Sequence, residues 1–357
     1  MKLLIAAGGT GGHVYPALAV AEELQTRGQL SRVGWVGDPH RIEGRVVRQH
    51  PWIEFYPLPS HGINRGQPWT WPDSFARVFR GFLRAIAIVR RFQPDAVVGT
   101  GGHASFAPLL AAWFLRVPTV IHEQNARMGL SNRILARIAD RVLLSFPETR
   151  GVPPRRQTEV TGNPVRRAVA SVSAQLGDEL LVVGGSQGSR SLVDVMVRLA
   201  PELARAPQFR MRLVVGNAAP VEDVAKSLAR CGVKAEVVRY AEPFADALAR
   251  ARLVVARAGA TTAAEVAVAG RPTVFVPWTG AADGHQDDNA RTMACSGGCV
   301  VVSEQAAPRE LGDLVRKLWT DGEKLRDMAS AVRAWARPDA AQKVAEALVA
   351  LVEGVRA

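Results

Sequence analysis

Ala6-Ala7-Gly8-Gly9-Thr10-Gly11-Gly12-His13-Val14-Tyr15-Pro16 follows directly on the apolar run Lys2-Leu3-Leu4-Ile5. An apolar run closed by glycines reads as a buried strand, a tight turn and the start of a helix. Glycines there let the backbone approach a ligand closely and present N–H groups at a helix N-terminus, where the macrodipole favours negative charge. The pattern recurs at Gly99-Thr100-Gly101-Gly102-His103 and at Gly184-Gly185-Ser186-Gln187-Gly188. None of the three has the G-x-G-x-x-G spacing of a nicotinamide-dinucleotide fold, and none carries the Lys-Ser/Thr pair of a P-loop. A glycine-rich turn can also serve only to pack a helix on a strand, so each is a candidate phosphate or sugar contact.

Working outward, apolar runs predict strands at Lys2–Ala7, Arg32–Val36, Ile53–Pro57, Ala96–Gly99, Thr119–His122 and Arg141–Leu144. The series resumes at Leu180–Val183, Met211–Val215, Ala235–Val238, Leu253–Ala256, Thr273–Val276 and Cys299–Val302. Amphipathic segments separate most of them, which implies βαβ units and parallel sheets. Twelve strands are too many for one ordinary doubly wound sheet. A break at Thr161-Gly162-Asn163-Pro164 predicts an N-terminal domain over 1–162 and a C-terminal domain over 163–357, with the last helix a candidate to pack back on the first. The expected fold is α/β, two Rossmann-like domains facing a cleft, with ligands at the carboxyl ends of the strands.

The 357 residues carry a net charge of +12. Residues 1–160 hold 20 Lys and Arg against 11 Asp and Glu, and the remainder 25 against 22, so the first half is the basic one. That balance suits an anionic partner or surface. Zinc-finger spacing, an RNP-like strand and a lysine-rich arm are all missing, so nucleic acid is not expected. No apolar run reaches the roughly 20 residues of a membrane span. The chain begins on a strand rather than on a signal-peptide pattern, so a cytoplasmic location is expected. Cys231, Cys295 and Cys299 have no metal spacing and read as buried thiols, with a helix-like segment running through the last two.

His13 ends the first turn. Imidazole titrates near neutral pH and can take a proton from an attacking hydroxyl, while a helix N-terminus disfavours a cation there. A capping or packed histidine is the plainer alternative. In Arg257-Ala258-Gly259-Ala260-Thr261-Thr262-Ala263-Ala264-Glu265 a strand ends, a glycine turns the chain and a helix opens. Glu265 either complements the helix dipole or accepts the hydroxyls of a ribose. Beyond Pro277-Trp278, His285-Gln286-Asp287-Asp288-Asn289 offers polar side chains to sugar hydroxyls.

GGTGGH (8–13), GTGGH (99–103), HEQN (122–125), GNPVR (162–166), GGSQGS (184–189), RAGATTAAE (257–265) and HQDDNA (285–290) together resemble the MurG family. These are bacterial peptidoglycan N-acetylglucosaminyltransferases of the GT-B fold, and the likeness runs in order over nearly the whole chain. The resemblance implies inverting transfer of GlcNAc from UDP-GlcNAc to the 4-hydroxyl of MurNAc-pentapeptide on undecaprenyl diphosphate, converting lipid I to lipid II. It implies Thr10, Gly11 and Gly12 beside the sugar nucleotide, His13 as base, and Asn125, Arg166, Ser186 and Gly188 on the donor. It implies further that Ala260, Thr261 and Thr262 offer N–H groups to the diphosphate, Glu265 takes the ribose, Gln286 the GlcNAc, and the Ala241 backbone the uracil. Gly101, Gly102 and His103 fall on the acceptor side. The implied partners are UDP-GlcNAc, lipid I and the anionic inner-membrane surface, with peripheral binding at its cytoplasmic face; other cell-wall synthesis proteins are candidates. Some members carry two glutamines where this chain has His285-Gln286, a serine at Ala258 and an aromatic at His103.

Inverting transfer needs a base and stabilisation of a departing diphosphate, which helix N-termini and Arg supply without a metal. The chain has no Asp-x-Asp, so neither a metal nor a cofactor is expected. Between Phe75 and Ile86, apolar residues share one helical face, with Arg77, Arg80 and Arg84 opposite. That segment is either an ordinary packed helix or, with Trp69, Trp71 and Phe75, a contact with anionic lipid. A UDP-GlcNAc epimerase of the same fold, which needs no lipid acceptor, and a non-catalytic membrane scaffold that binds a nucleotide sugar are the alternatives.

Overall fold

The computed structural model describes residues 1–59, 71–281 and 284–356, with the backbone alone at 71–76 and 356. The chain forms two compact units, Met1–Pro164 with Asp339–Ala357, and Val165–Pro338. The first unit runs β1 Lys2–Ala6, α1 Gly11–Thr26, β2 Arg32–Gly37, α2 Ile42–Val47, β3 Ile53–Pro57 and α3 Trp71–Phe92. It continues with β4 Ala96–Gly99, α4 His103–Phe114, β5 Thr119–Glu123, α5 Leu130–Leu135, β6 Arg141–Leu144 and β7 Glu159–Val160. The second unit holds α6 Arg167–Ala170, β8 Glu179–Val183, α7 Arg190–Leu203, β9 Arg210–Val214, α8 Val221–Arg230, β10 Lys234–Val238 and α9 Phe244–Arg250. There follow β11 Ala251–Ala256, α10 Ala260–Val268, β12 Thr273–Phe275, α11 His285–Ala294, β13 Cys299–Val301, α12 Ala307–Thr320 and α13 Gly322–Trp335. The last helix, α14 Ala340–Arg356, returns to the first unit.

Both sheets are parallel throughout. Their orders are β3-β2-β1-β4-β5-β6-β7 and β10-β9-β8-β11-β12-β13. Each sheet therefore reverses its direction of growth once, between β1 and β4 in the first and between β8 and β11 in the second. At such a reversal the two following connections leave on opposite faces and open a crevice beyond the carboxyl ends of the strands. The three glycine-rich turns and the turn before α10 all lie at these two places.

The central strands of each sheet are buried on both faces, as helices on each side of a parallel sheet require. In the first sheet Leu3, Ile5, Trp35 and Val98 pack with α1, α2 and Val344, Leu348 and Val352 of α14. Leu4, Val36, Val97 and Ile121 face the other way, toward α3, α4 and α5. The second unit has its own core around Leu180, Val182, Leu213 and Val255.

The sequence reading omits β7, a two-residue strand paired on β6, because neither Glu159 nor Val160 is buried and no apolar run marks them. Cys299 opens a strand rather than continuing a helix, and burial pushes its thiol up to about 12. Cys295 caps α11 and is exposed, contrary to the reading of all three cysteines as buried. No helix among the described residues is long and apolar enough to cross a membrane.

Candidate functional site

In the first unit Thr10 is the N-cap of α1 in extended conformation, and its Oγ1 lies 3.1 Å from His13 Nδ1. Thr100, at the end of β4, donates its hydroxyl to the His13 carbonyl at 2.9 Å, joining the two turns at the sheet reversal. Gly102, the N-cap of α4 at φ 74°, stands over the His13 ring: a methyl group there would lie 3.5 Å from Cε1 and Nδ1. Gly11, Gly12 and Gly101 complete the two turns, and His103 is exposed at the first position of α4.

Beneath the first turn lies a residue that pattern reading passes over. Glu43 of α2 is fully buried. Its carboxylate accepts the N–H groups of Gly9 at 3.0 Å and Asp38 at 3.1 Å. The Gly9 amide, expected among donors open to a phosphate, is thus engaged. A methyl at Gly37 would lie 2.7 Å from Glu43 Cγ. The clue was the pair of glycines, Gly8 and Gly37, that leave room for one acidic side chain.

HEQN supplies scaffolding. His122 is buried and donates from Nε2 to the Gly162 carbonyl at 2.9 Å, while Gln124 Nε2 donates to its Nδ1 at 2.9 Å. Burial lowers its pKa to about 4, so the ring is neutral. Glu123 accepts from Asn125 N–H (3.0 Å), Asn125 Nδ2 (3.1 Å), Gly129 N–H (3.0 Å) and Asn132 Nδ2 (2.9 Å). Burial raises its carboxyl, against these hydrogen bonds. Asn125 is consequently held at the end of β5, half-buried.

In the second unit Val183 and Ala256 are register partners on β8 and β11, so their turns leave side by side. Ser186 is exposed on the first turn. Gly188, at φ 79°, leaves no room for a methyl against the Val215 carbonyl, so this glycine answers first to packing. Gly259 caps α10, whose first turn carries Ala260, Thr261 and Thr262. Glu265, 3% exposed, pairs with Arg166 at 2.8 Å, and the guanidinium lies 5.2 Å from the centre of the Phe244 ring. Glu265, expected at the ribose, and Arg166, expected on the donor, are therefore partners of each other. Ala241 is half-buried between β10 and α9. Gln286, on the first turn of α11, accepts the Trp278 N–H at 3.0 Å through its Oε1.

Arg257, the first residue beyond β11, is 3% exposed. It donates to Ser189 Oγ at 3.0 and 2.9 Å, to Ser191 Oγ at 2.6 Å, and to Glu304. Burial would raise the Glu304 carboxyl, but hydrogen bonds from Ser191, Thr279 and Arg257 outweigh it and hold the group down at about 2. Neither residue had been assigned a role. Glu304 has no local pattern, since it meets Arg257 only through the packing of β13 against β12.

Trp69 lies outside the described residues, as do the side chains of Trp71 and Phe75. Farther along α3, Ala85, Val89 and Phe92 face the core. Phe79 and Leu83 instead remain exposed beside Arg80 and Arg84, so the apolar stripe is broader than the packed face. At the end of α4, Trp113 and Phe114 are exposed too, with Phe114 edge-on to Phe82 at 6.1 Å.

Residues 3–144 match the glycosyltransferase family 28 N-terminal domain, and residues 179–344 the glycosyltransferase family 28 C-terminal domain. A Geobacter sulfurreducens protein is 37% identical, over 98% of each chain. One from Syntrophotalea carbinolica is 39% identical, over 96% of this chain and 97% of that one. Both are named UDP-N-acetylglucosamine--N-acetylmuramyl-(pentapeptide) pyrophosphoryl-undecaprenol N-acetylglucosamine transferase. The crystal structure of Acinetobacter baumannii MurG superposes with a TM-score of 0.76 at 31% identity, covering 97% of this chain and 98% of that one. By sequence in both domains and by fold over its length, the chain belongs to glycosyltransferase family 28, among the MurG N-acetylglucosaminyltransferases.

Proposed function

We propose that this chain transfers N-acetylglucosamine from UDP-GlcNAc to the MurNAc 4-hydroxyl of lipid I, with inversion. The observation that carries the residue roles is the equipment of the two sheet reversals: His13 with Thr10 at the first, Glu265 with Arg166 below the N-terminus of α10 at the second. His13 is the base for the acceptor hydroxyl. A ring that donates from Nδ1 to Thr10 Oγ1 carries its lone pair on Nε2. The attacking oxygen bonds to the anomeric carbon, its proton passes to His13, and the bond to the UDP oxygen breaks. The leaving diphosphate is stabilised by N–H groups of Ala260, Thr261 and Thr262 and by Arg166. In this reading Arg166 turns from Glu265 to the diphosphate, and Glu265 is released to the ribose hydroxyls. Gln286 keeps its amide nitrogen for the sugar, and Ser186 joins the diphosphate from the turn after β8.

The acceptor lies on the first unit, beside Gly101, Gly102 and His103. Phe79, Leu83, Trp113 and Phe114, with Arg77, Arg80 and Arg84 nearby, form the surface that meets the anionic cytoplasmic leaflet.

The test is release of UDP from UDP-GlcNAc by purified protein, with and without a soluble lipid I analogue, while product mass is followed. Acceptor-dependent release with a product heavier by one GlcNAc is expected. Turnover without acceptor would overturn the reading in favour of an epimerase or hydrolase, and binding without turnover in favour of a scaffold.

A further inference from the structure

The loop that follows β12 is pinned at successive residues. Arg257 Nη1 donates to the carbonyls of Val276 at 2.9 Å and Pro277 at 3.1 Å. Gln286 takes the Trp278 N–H. Glu304 Oε2 then accepts both the N–H and the hydroxyl of Thr279, at 3.0 and 2.7 Å. The other Glu304 oxygen accepts the Ser191 hydroxyl at 2.7 Å, at the start of α7. One carboxylate therefore ties the loop after β12 to the helix that follows the β8 turn.

The pinned loop presents one large side chain, Trp278, which is 49% exposed. Its ring lies against Gly280, where a methyl would stand 2.7 Å from Cζ2. An exposed indole exposes apolar area; with its backbone N–H held by Gln286 and its ring against Gly280, it offers the flat, partly polar face on which a pyranose ring packs. A carboxylate that accepts several hydrogen bonds is well suited to this task, because charge-assisted hydrogen bonds hold geometry more firmly than neutral ones.

We propose that Glu304 is a positioning residue for the donor sugar: it sets Trp278 and Thr279 so that the loop reads the N-acetylglucosamine and not the uridine diphosphate. The proposal rests on the reading of the second unit as the UDP-GlcNAc site. It predicts that loss of Glu304 separates affinity for the sugar from affinity for the nucleotide.

The experiment is calorimetric titration of the full chain with UDP-GlcNAc, UDP-GalNAc and UDP, for wild type, Glu304→Gln and Thr279→Val. Glu304→Gln is expected to weaken UDP-GlcNAc about tenfold, to leave UDP within about twofold, and to shrink the preference for UDP-GlcNAc over its 4-epimer. Thr279→Val removes one hydrogen bond and should move the same quantities in the same direction by about threefold; it carries the test if Glu304→Gln fails to fold. Parallel weakening of UDP and UDP-GlcNAc, or no change in either variant, would overturn the proposal while leaving the donor site intact. A wild-type chain that binds neither UDP-GlcNAc nor UDP would overturn the donor-site reading itself, and the proposal with it.

Discussion

The turn after β1 and the turn after β8 occupy equivalent places in their sheets, yet one is held by a side-chain acceptor and the other by a side-chain donor. Under the first is the buried carboxylate of Glu43, accepting from Gly9 and Asp38. Beside the second is the buried guanidinium of Arg257, donating to Ser189 and Ser191 at the start of α7. Arg257 is paired with Glu304, so its charge is balanced and its guanidinium fixes the start of α7, whereas Glu43 fixes two backbone N–H groups beneath the first turn. Similar glycine-rich strings thus give sites of different chemistry. On the proposed reading the first turn keeps His13 for a hydroxyl, and the diphosphate is met by the N-terminus of α10 and Arg166 rather than by Arg257.

The contrast is broken most directly at its functional ends. His13→Ala should lower kcat for transfer about 10²- to 10⁴-fold with UDP-GlcNAc affinity within about twofold. Glu265→Gln should do the reverse, raising KM for UDP-GlcNAc about tenfold with a smaller loss in kcat. If His13→Ala instead loses donor affinity, His13 belongs to binding and the division of labour fails.

Removing the support beneath the first turn comes next in size. Glu43→Ala leaves two N–H donors without their acceptor, at a cost of about 2–4 kcal/mol, which a denaturant midpoint would register. UDP affinity should stay unchanged, because Glu43 belongs to the first unit. An unaltered midpoint would show that the carboxylate does not hold the turn.

Acid should separate the units further. His122 is neutral in the fold down to about pH 4 but takes a proton at about 6.5 when unfolded, so its contribution is complete above 6.5 and is lost as pH falls toward 4. That loss is on the order of 3 kcal/mol before the opposing effect of Glu123, whose raised carboxyl favours the fold as pH falls. Glu304, held near 2, keeps its contribution above about 4.5 and loses it as pH falls through about 2. The first unit should therefore weaken at a higher pH than the second. His122→Gln should flatten the stability profile between pH 6.5 and 4; a profile identical to wild type would remove His122 as the cause.

The smallest effect is at the surface. Arg84→Gln should weaken binding to anionic vesicles about fivefold, following roughly 1 kcal/mol per basic residue near a leaflet. Equal loss on neutral vesicles would point to packing rather than charge.

Nearly all the architecture was legible in the chain. Buried parallel strands are continuous apolar runs, and strand-to-helix turns need glycines, so β1 to β6 and β8 to β13 announce themselves. Only β7 lacks that signature. His13 and the start of α10 were legible for the same reason, because turn chemistry is local. Glu43, Arg257 and Glu304 were not, since their meaning lies in partners brought from other strands. A sequence determines periodicity, turns and the ends of elements through interactions a few residues long. The sheet order decides which ends share a crevice, and burial decides which charges there stay weakly screened; both depend on contacts between segments far apart in the chain, and only the tertiary structure supplies them.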